Sequence, residues 1–267
     1  MAVILRPSDI ELARRLEAAE AVNAFALAGQ GPGIETDAIA GGCAMFAGVN
    51  SPLTHAMGCG MSGSVDRAEI ERLERFFFDR GSDCMIDLCP MADAGLVQAV
   101  MDRGYCILEF NNLMVRPVTL GDGGWESDSF RFEQVDEATR SQWLDVVAEG
   151  FQAPLAILEN IPLCGDTLMA RRDGHPVAAA GMALETGVAL LFGDATVPAS
   201  RGLGLQSALI GERVARAARA GCDLAVACVL PGSGSHRNYE RAGFQLLYMR
   251  VNVKRDRPQL EPHAHQS

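Results

Sequence analysis

No apolar run among the 267 residues reaches the ~18 residues that a membrane-spanning helix needs. The short apolar stretch "AVIL" near the start is not a secretory signal, because an amphipathic pattern follows it. Positive charge is also scarce, since 23 Lys and Arg residues face 34 Asp and Glu residues and the formal net charge is −11. We therefore expect a cytoplasmic protein that binds neither a membrane nor, over a broad surface, a nucleic acid.

Disulfide and metal frameworks are missing as well. None of the eight cysteines forms a CxxC pair, and no His/Cys cluster has the spacing of a zinc site. Most of the cysteines lie inside apolar runs such as "DCMIDLCP" and "CDLAVACVL". We expect buried, reduced thiols that pack as small hydrophobic side chains, and no metal site.

Hydrophobic periodicity predicts helices and strands along most of the chain. The spacing S-D-I-E from Ser8 to Glu11 has the form of a capping box and predicts a helix that runs towards Ala28. The segment "DRAEIERLERFFFDRG" predicts a second, amphipathic helix. Its apolar face would consist of Ile70, Leu73, Phe76 and Phe77.

A polar, glycine-rich segment, "TLGDGGWESDS", divides the chain at residues 119–129 and predicts a linker. We expect one domain over residues 1–118, a second over residues 130–254 and a disordered tail over residues 255–267.

The two predicted domains resemble each other. "DRGSDCMIDLCP" in the first and "ARAGCDLAVACV" in the second share the order helix end, glycine, aspartate and apolar strand. A short helix that ends in "DRGY" or "RAGF" then follows in each. We interpret this as a repeat of one architecture, with two unrelated strand–helix–strand units as the alternative.

The segment "VPASRGLGLQSALI" opens a long helix in the second domain. Its residues would present successive backbone N–H groups at a helix N-terminus, where the macrodipole favours an anion. Arg201 adds a positive charge, and the first acidic residue of the helix is Glu212. The first domain has "GCGMSGSVD" in this place, and Asp66 and Glu69 in the first helical turn would repel a phosphate. We expect one phosphate-binding loop, with an ordinary glycine turn before a helix as the alternative.

Two other phosphate-binding designs fit less well. A P-loop requires Gly-Lys-Ser/Thr, and this segment has no lysine. "GLGLQS" nearly matches the dinucleotide fingerprint G-x-G-x-x-G, and Asp223 follows about 20 residues later. That aspartate opens its strand, however, whereas ribose recognition places the acid at the carboxyl end. A nicotinamide-dependent oxidoreductase therefore remains a minor alternative.

The segment "VPASRGLGLQSALI" resembles the coenzyme A loop of the GNAT-fold N-acetyltransferases, in which Arg201 and Gly204 match and Gln206 replaces the usual glycine or alanine. The later segment "SHRNYERAGF" resembles the closing motif of that family, a tyrosine followed by Gly-Phe. The resemblance implies an α/β (α+β) fold of two GNAT-like units. Each would be a mixed, mostly antiparallel sheet flanked by helices, and the N-terminal unit would have lost its phosphate loop.

The same resemblance implies transfer of an acetyl group from acetyl-CoA to a primary amine by direct attack in a ternary complex. Tyr239 occupies the position of the family's general acid, with a tyrosine that only packs under the helix end as the alternative. Asp194 is our candidate for the general base, ahead of Glu185. The implied cofactor-binding residues are Ala195, Thr196, Arg201, Gly202, Leu203, Gly204, Leu205, Gln206, Ser207, Ser235 and Asn238.

Several further expectations remain open at this point. The acidic composition favours a cationic amine, and the turn "GVNSPLTH" of the first domain is expected to help shape the amine site. Ser235 could instead cap its helix. A homodimer is left open, and a sensor that binds acyl-CoA without turnover is the alternative function.

Overall fold

The computed structural model describes residues 9–31, 33–124, 130–159, 161–163 and 165–258. Four sequence-based expectations therefore lie outside the described residues, wholly or in part. They are the role of Ser8 in the capping box, the linker from residue 125 to residue 129, the state of Cys164 and the tail from residue 259 onwards.

The described residues form six α-helices and eleven strands. The helices are α1 (Ile10–Leu27), α2 (Arg67–Phe78), α3 (Ala94–Asp102), α4 (Arg140–Phe151), α5 (Leu205–Arg219) and α6 (Gly234–Arg241). The strands are β1 (Glu35–Ile39), β2 (Gly42–Phe46), β3 (His55–Met57), β4 (Cys84–Leu88), β5 (Cys106–Pro117), β6 (Arg131–Gln134), β7 (Leu168–Arg172), β8 (His175–Glu185), β9 (Val188–Thr196), β10 (Leu224–Val229) and β11 (Gln245–Arg255).

The same order of elements occurs twice along the chain. Helix, three strands, helix, strand, helix and strand describe both α1 to β5 and α4 to β11, and β6 precedes the second series. In each series the third and fourth strands are parallel neighbours, namely β3 with β4 and β9 with β10. We call α1 to β5 the first half and β6 to β11 the second half.

All eleven strands belong to one sheet, in the order β1-β2-β3-β4-β11-β5-β10-β9-β8-β7-β6. The predicted fold class, a mixed and mostly antiparallel sheet flanked by helices, is confirmed. The two halves do not form two separate sheets, however, because β11 lies between β4 and β5, and β5 lies between β11 and β10. Each half thus inserts its last strand into the sheet of the other.

This strand exchange gives β5 a hydrogen-bonded neighbouring strand along each of its two edges. Its residues 112–117 pair antiparallel with β10, and its opposite edge pairs antiparallel with β11 from Val115↔Gln245 to Cys106↔Lys254. A central strand with hydrogen bonds on both sides and apolar side chains on both faces becomes buried. Leu113, Met114 and Val115 accordingly lie in the core.

Helix α1 contacts strands that are distant in the sheet order, namely β2 on one side and β8 and β9 on the other. The sheet must therefore curve around this helix. The N-cap of α1 is Asp9, whose carboxylate accepts the backbone N–H groups of Glu11 and Leu12 at 3.1 Å each. The helix thus has a different cap from the predicted one, because an aspartate one residue further along reaches the same free N–H groups.

Other local predictions differ in detail. The predicted apolar face of α2 is buried, whereas β1 was not predicted at all, because its alternation of exposed and buried residues is weak. Of the seven described cysteines, all free, Cys106 and Cys228 are exposed rather than buried. In the part of the chain that the structure describes, no helix is both long enough and apolar enough to span a membrane.

Candidate active site

The start of α5 is an uncapped helix N-terminus. Gly202 and Gly204 have φ angles of 80° and 78°, which glycine adopts readily and other residues rarely do. Gly204 is the N-cap, no side chain caps the helix, and its first turn has no acidic residue. The first helical hydrogen bond runs from the N–H of Ala208 to the carbonyl of Gly204 at 3.0 Å. The N–H groups of Leu205 to Ser207 therefore have no partner within the helix.

The corresponding helix of the first half, α2, begins in the opposite way. Asp66 accepts the N–H of Glu69 at 2.9 Å, and the Glu69 side chain accepts the N–H of Asp66 at 3.3 Å. This complete capping box already satisfies N–H groups at the helix start and places two carboxylates there. The start of α2 therefore repels an anion, whereas the start of α5 favours one.

Arg201 lies at the edge of this loop and connects two elements. Its guanidinium donates to the carbonyl of Gly150 at 2.8 Å, at the end of α4, and to the carbonyl of Thr196 at 3.3 Å, at the end of β9. A Cβ atom on Gly150 would lie only 2.8 Å from the Cβ of Ala195. Helix α4 therefore packs tightly against the last residues of β9.

Strands β9 and β10 separate beside this loop. Their parallel pairing runs from Val188↔Leu224 to Leu191↔Ala227 and then stops, although β9 continues to Thr196. The register between β8 and β9 also shifts between the pairs of Ala179 and Gly181. Asp194, the candidate general base, and the predicted cofactor-binding residues Ala195 and Thr196 thus lie on the part of β9 that no longer pairs with β10.

Asp194, Arg213 and Tyr239 form a buried cluster in this region. One carboxylate oxygen of Asp194 accepts from Arg213, the other accepts the hydroxyl proton of Tyr239, and both contacts are short. Arg213 also donates to the carbonyls of Gly181 at 3.0 Å and Phe192 at 3.3 Å. Both the Arg213 and the Tyr239 side chains are buried. The structure therefore brings the two predicted catalytic residues together around a buried arginine.

Burial raises the pKa of Tyr239 well above its ordinary value, and the Asp194 charge acts in the same direction. Burial opposes the charge on Arg213, but Asp194 and Tyr239 raise its pKa nonetheless. Both oxygens of Asp194 are already engaged, so this carboxylate is badly placed to act as the general base that the sequence suggested. Its contacts instead orient Tyr239 and neutralise Arg213.

Sequence reasoning missed Arg213, although the sequence contains a signal for it. Arg213 follows Leu209 by four residues and Ile210 by three, which places it on the apolar face of α5. A lone arginine among buried positions of a helix usually has a carboxylate partner.

Gln206, which departs from the family pattern, connects α5 to α6. Its amide nitrogen donates to the hydroxyl of Ser235 at 2.8 Å, and its amide oxygen accepts from Asn238 at 2.7 Å. The side chain therefore points towards α6, while its backbone N–H remains part of the helix start. Ser235 is not the cap of α6, because Ser233 is the N-cap and accepts the N–H of His236 at 3.0 Å.

A cavity of about 830 Å³ extends from the separation of β9 and β10 into the first half. Phe192, Gly193 and Cys228 are among its lining residues, and the turn "GVNSPLTH" contributes Pro52, Leu53 and His55. The sequence predicts that this turn helps to shape the amine site. The turn does line the cavity, and its contact with an amine stays a prediction. The α4 side of the cavity is apolar, with Trp143, Val147, Phe151, Ile157, Leu158 and Ile161.

The floor of the cavity carries a cluster of charged residues that sequence reasoning missed entirely. Arg250 of β11 contacts Glu17 at 2.9 Å and Glu20 at 2.7 Å, both on α1, and Asp87 of β4 at 3.5 Å. Asp87 also lies 3.2 Å from the Nδ1 atom of His55. Up to 233 residues separate these partners in the chain, so no local spacing reveals them.

Burial disfavours a charge on His55, but Asp87 and Glu20 together raise its pKa above the ordinary value. Burial also raises the pKa of Glu20, although Arg250 counteracts this. Nowhere in the described residues, this cluster included, is a group of three or more His, Cys, Asp or Glu side chains arranged to hold a metal ion.

The comparisons with known proteins agree with this geometry. Residues 132–244 match the family model of the acetyltransferase (GNAT) family. A GCN5-related N-acetyltransferase from Kribbella flavida has a similar structure, with a TM-score of 0.68 and 19% identity, over 91% of this chain and 95% of that one. No curated protein sequence matches the chain.

A GCN5-related N-acetyltransferase from Sphaerobacter thermophilus is also similar, with a TM-score of 0.51 and 16% identity. That similarity covers 68% of this chain and 62% of the other. The structural matches establish the shared fold, and the family match covers the segment that contains β9, the α5 loop and Tyr239. Residues 132–244 therefore match the acetyltransferase (GNAT) family, and the chain shares the fold of these structural matches.

Proposed function

We propose that the protein transfers an acetyl group from acetyl-CoA to a primary amine, by direct attack of the amine on the thioester in a ternary complex. The observation that carries this proposal is the contrast between the two helix starts. The N-terminus of α5 is uncapped, free of acids and adjacent to the separation of β9 and β10, whereas a capping box occupies the start of α2. One chain should therefore bind one molecule of CoA.

The α5 loop would hold the CoA diphosphate. The backbone N–H groups of residues 202–207 and the helix dipole suit an anion, and Arg201 adds positive charge. The backbone of Ala195 and Thr196, which pairs with β8 but no longer with β10, would hydrogen-bond the pantetheine arm on the β10 side. Ser235 and Asn238 lie beside Gln206 and would contact the cofactor from the α6 side.

Tyr239 would act on the departing thiolate. A phenol has a pKa of about 10 and a thiol one of about 8.5, so full proton transfer from the phenol to the thiolate is uphill. A hydrogen bond that stabilises the developing negative charge is therefore its main contribution. In this scheme the Tyr239 hydroxyl proton, which Asp194 accepts in this structure, would turn to the thiolate. Asp194 and Arg213 are positioning residues, because they contact the tyrosine hydroxyl from two sides.

Isothermal titration with CoA tests the binding loop. The wild-type chain should bind one equivalent, and Arg201→Glu should weaken CoA binding by about tenfold or more, because it reverses a charge beside the diphosphate. Arg219→Glu is the matched control, since Arg219 is an exposed arginine at the other end of the same helix. Two equivalents per chain, or unchanged affinity in Arg201→Glu, would refute the loop assignment.

Release of free CoA thiol from acetyl-CoA, measured with a panel of primary amines, tests the chemistry. Tyr239→Phe should lower kcat by about 10²-fold while CoA affinity remains. If the wild type binds CoA but releases no thiol with any amine, the protein is an acyl-CoA-binding protein without turnover. In that case the proposed reaction is wrong.

A further inference from the structure

The cavity between the halves suggests what the acceptor is and how it loses its proton; this inference rests on the proposed function. We propose that the cavity of about 830 Å³ binds an amphipathic primary amine, and that His55, oriented by Asp87, accepts the proton that the amine must lose before it attacks acetyl-CoA. The cavity has the volume of an ordinary small-molecule site. It also reaches Phe192 and Gly193, at the separation of β9 and β10.

The charge balance at the cavity floor favours a cationic ligand. Among the described residues of this cluster, the carboxylates of Glu17, Glu20 and Asp87 face a single guanidinium, that of Arg250. Buried carboxylates are stable when they are paired, and this cluster has more carboxylates than cations. Glu20, which lines the cavity and keeps 19% of its side chain exposed, is available to an incoming ammonium group.

Two buried hydrogen-bond donors independently indicate a ligand site. The Nε1 atom of Trp143 and the Nε atom of Arg250 make no hydrogen bond among the described residues, and both side chains are almost completely buried. Both residues line the cavity. Buried polar atoms without partners are rare in folded proteins, so an acceptor on a ligand, or water, is expected at each.

The lining residues from α4 and the segment after it indicate that the rest of the ligand is apolar. The α4 side and the segment after it present aromatic and aliphatic side chains to the cavity and no charge that would pair with a second ammonium group. Contact with an apolar body contributes about 25 cal/mol for each Å² removed from water. The cavity therefore suits an amine whose ammonium group lies near Glu20 and whose apolar part lies against Trp143 and Phe151.

His55 has the geometry of a base held by a carboxylate. Its Nδ1 atom lies 3.2 Å from Asp87, whose other oxygen accepts a hydrogen bond from Asn252. This pairing fixes the imidazole ring and its tautomer, as in other Asp–His pairs. Within the described residues no partner occupies Nε2, and the side chain keeps 23% exposure. The free nitrogen can therefore accept a proton from a ligand in the cavity.

The ammonium form of the substrate transfers one proton to Nε2 of His55, and the free amine attacks the thioester carbonyl carbon. The C–N bond forms and the C–S bond breaks, and the nitrogen loses its second proton to the CoA thiolate as the tetrahedral intermediate collapses. His55 then returns its proton to solvent. The products are the N-acetylated amine, CoA thiol and one proton.

The groups that face His55 determine the pH dependence. They are Glu20 on α1, Asp87 on β4 and Arg250 on β11. Burial and the Arg250 charge lower the pKa of His55, but Asp87 and Glu20 outweigh them and raise it above the ordinary value, so the base form predominates only above that raised pKa. Activity should fall as the pH drops through this raised pKa.

Binding of 4-phenylbutylamine in the absence of acetyl-CoA tests the cavity directly by titration calorimetry. Its uncharged analogue 4-phenylbutan-1-ol and the hydrophilic amine spermidine should each bind about 10- to 100-fold more weakly, since each lacks one of the two features. Glu20→Gln should remove the preference for the amine over the alcohol. Equal binding of amine and alcohol by the wild type would overturn the cavity assignment.

The pH dependence of turnover tests the base. With 4-phenylbutylamine, His55→Gln should lower kcat/KM by about 10²- to 10⁴-fold near pH 7. The deficit should shrink as the pH approaches about 10, where the amine loses its proton in solution. His175→Gln is the matched control, because His175 is an exposed histidine at the start of β8. A deficit that is equal at every pH, or absent, would refute the role of His55.

The two proposals fail in different ways. If the wild type does not bind CoA, the proposed function is wrong, yet the amine titration still tests the cavity. If CoA affinity is normal in His55→Gln and its pH profile matches that of the wild type, the transfer reaction stands and the base assignment fails.

Discussion

Replacement of Arg213 by methionine should be among the most destabilising single changes in the chain. Methionine keeps most of the side-chain length but removes the donors that reach Asp194, Tyr239 and the carbonyls of Gly181 and Phe192. Breaking a buried ion pair from one side costs about 3–5 kcal/mol, because the other charge stays buried without a partner. Total stabilities of domains are about 5–15 kcal/mol, so this loss is a large fraction.

Urea unfolding followed by circular dichroism measures this cost, and the helix itself supplies the control. Arg216 lies one turn further along α5 and contacts Asp166 and Glu212 at 2.8 Å each, but it is only partly buried. Arg216→Met should therefore cost only about 0–1 kcal/mol. If the free energies of unfolding of the Arg213→Met and Arg216→Met variants differ by less than about 1 kcal/mol, the buried ion pair of Arg213 and Asp194 does not carry the expected cost.

Three further predictions address the loop, the cavity and the strand exchange. Gly204→Ala should cost about 1–2 kcal/mol in urea unfolding, since its φ of 78° is unfavourable for alanine, and should also weaken CoA binding; an unchanged midpoint would contradict this. The raised pKa of His55 means that its pairing with Asp87 stabilises the fold fully below pH 6.5 and loses this effect as the pH rises through the raised value. The difference in melting temperature between wild type and His55→Gln should therefore decrease between about pH 6 and pH 9, and a constant or growing difference would count against it. Fragments 1–124 and 125–267 should each fail to fold alone but assemble when co-expressed, because each lacks a central strand; a cooperative melt of either fragment alone would disprove the interdependence.

The sequence predicts the local elements well and their assembly poorly, for a physical reason. The apolar face of α2 and the glycine turn before α5 are local patterns, and the structure contains both. Which strand pairs with which is a long-range choice. The β5 segment reads equally well as the last strand of its own half, so nothing in its pattern reveals that β10 and β11 both pair with it.

The difference between local patterns and long-range contacts also applies to the candidate site, which consists of the α5 loop with Tyr239 and of the charged cluster in the cavity. The loop around Arg201 and the position of Tyr239 can be recognised because each is a contiguous motif. The cluster of Glu17, Glu20 and Arg250 cannot, because α1 and β11 lie at opposite ends of the chain and meet only after the sheet has curved around α1. A buried charge is visible in a sequence only when its neighbours in the sequence are clearly apolar, as they are around Arg213.

The exchange of β5 and β11 also gives the first half, which has no phosphate loop, a part in the proposed function. Arg250 and Asn252 belong to the second half by sequence, yet β11 places them next to Asp87 of β4 in the first half. In the other direction, the first half contributes Glu20 and His55 to a cavity that reaches Gly193 on β9. Neither half contains both the proposed CoA loop and the proposed acceptor cluster. Loss of either exchanged strand should therefore abolish acceptor binding as well as folding.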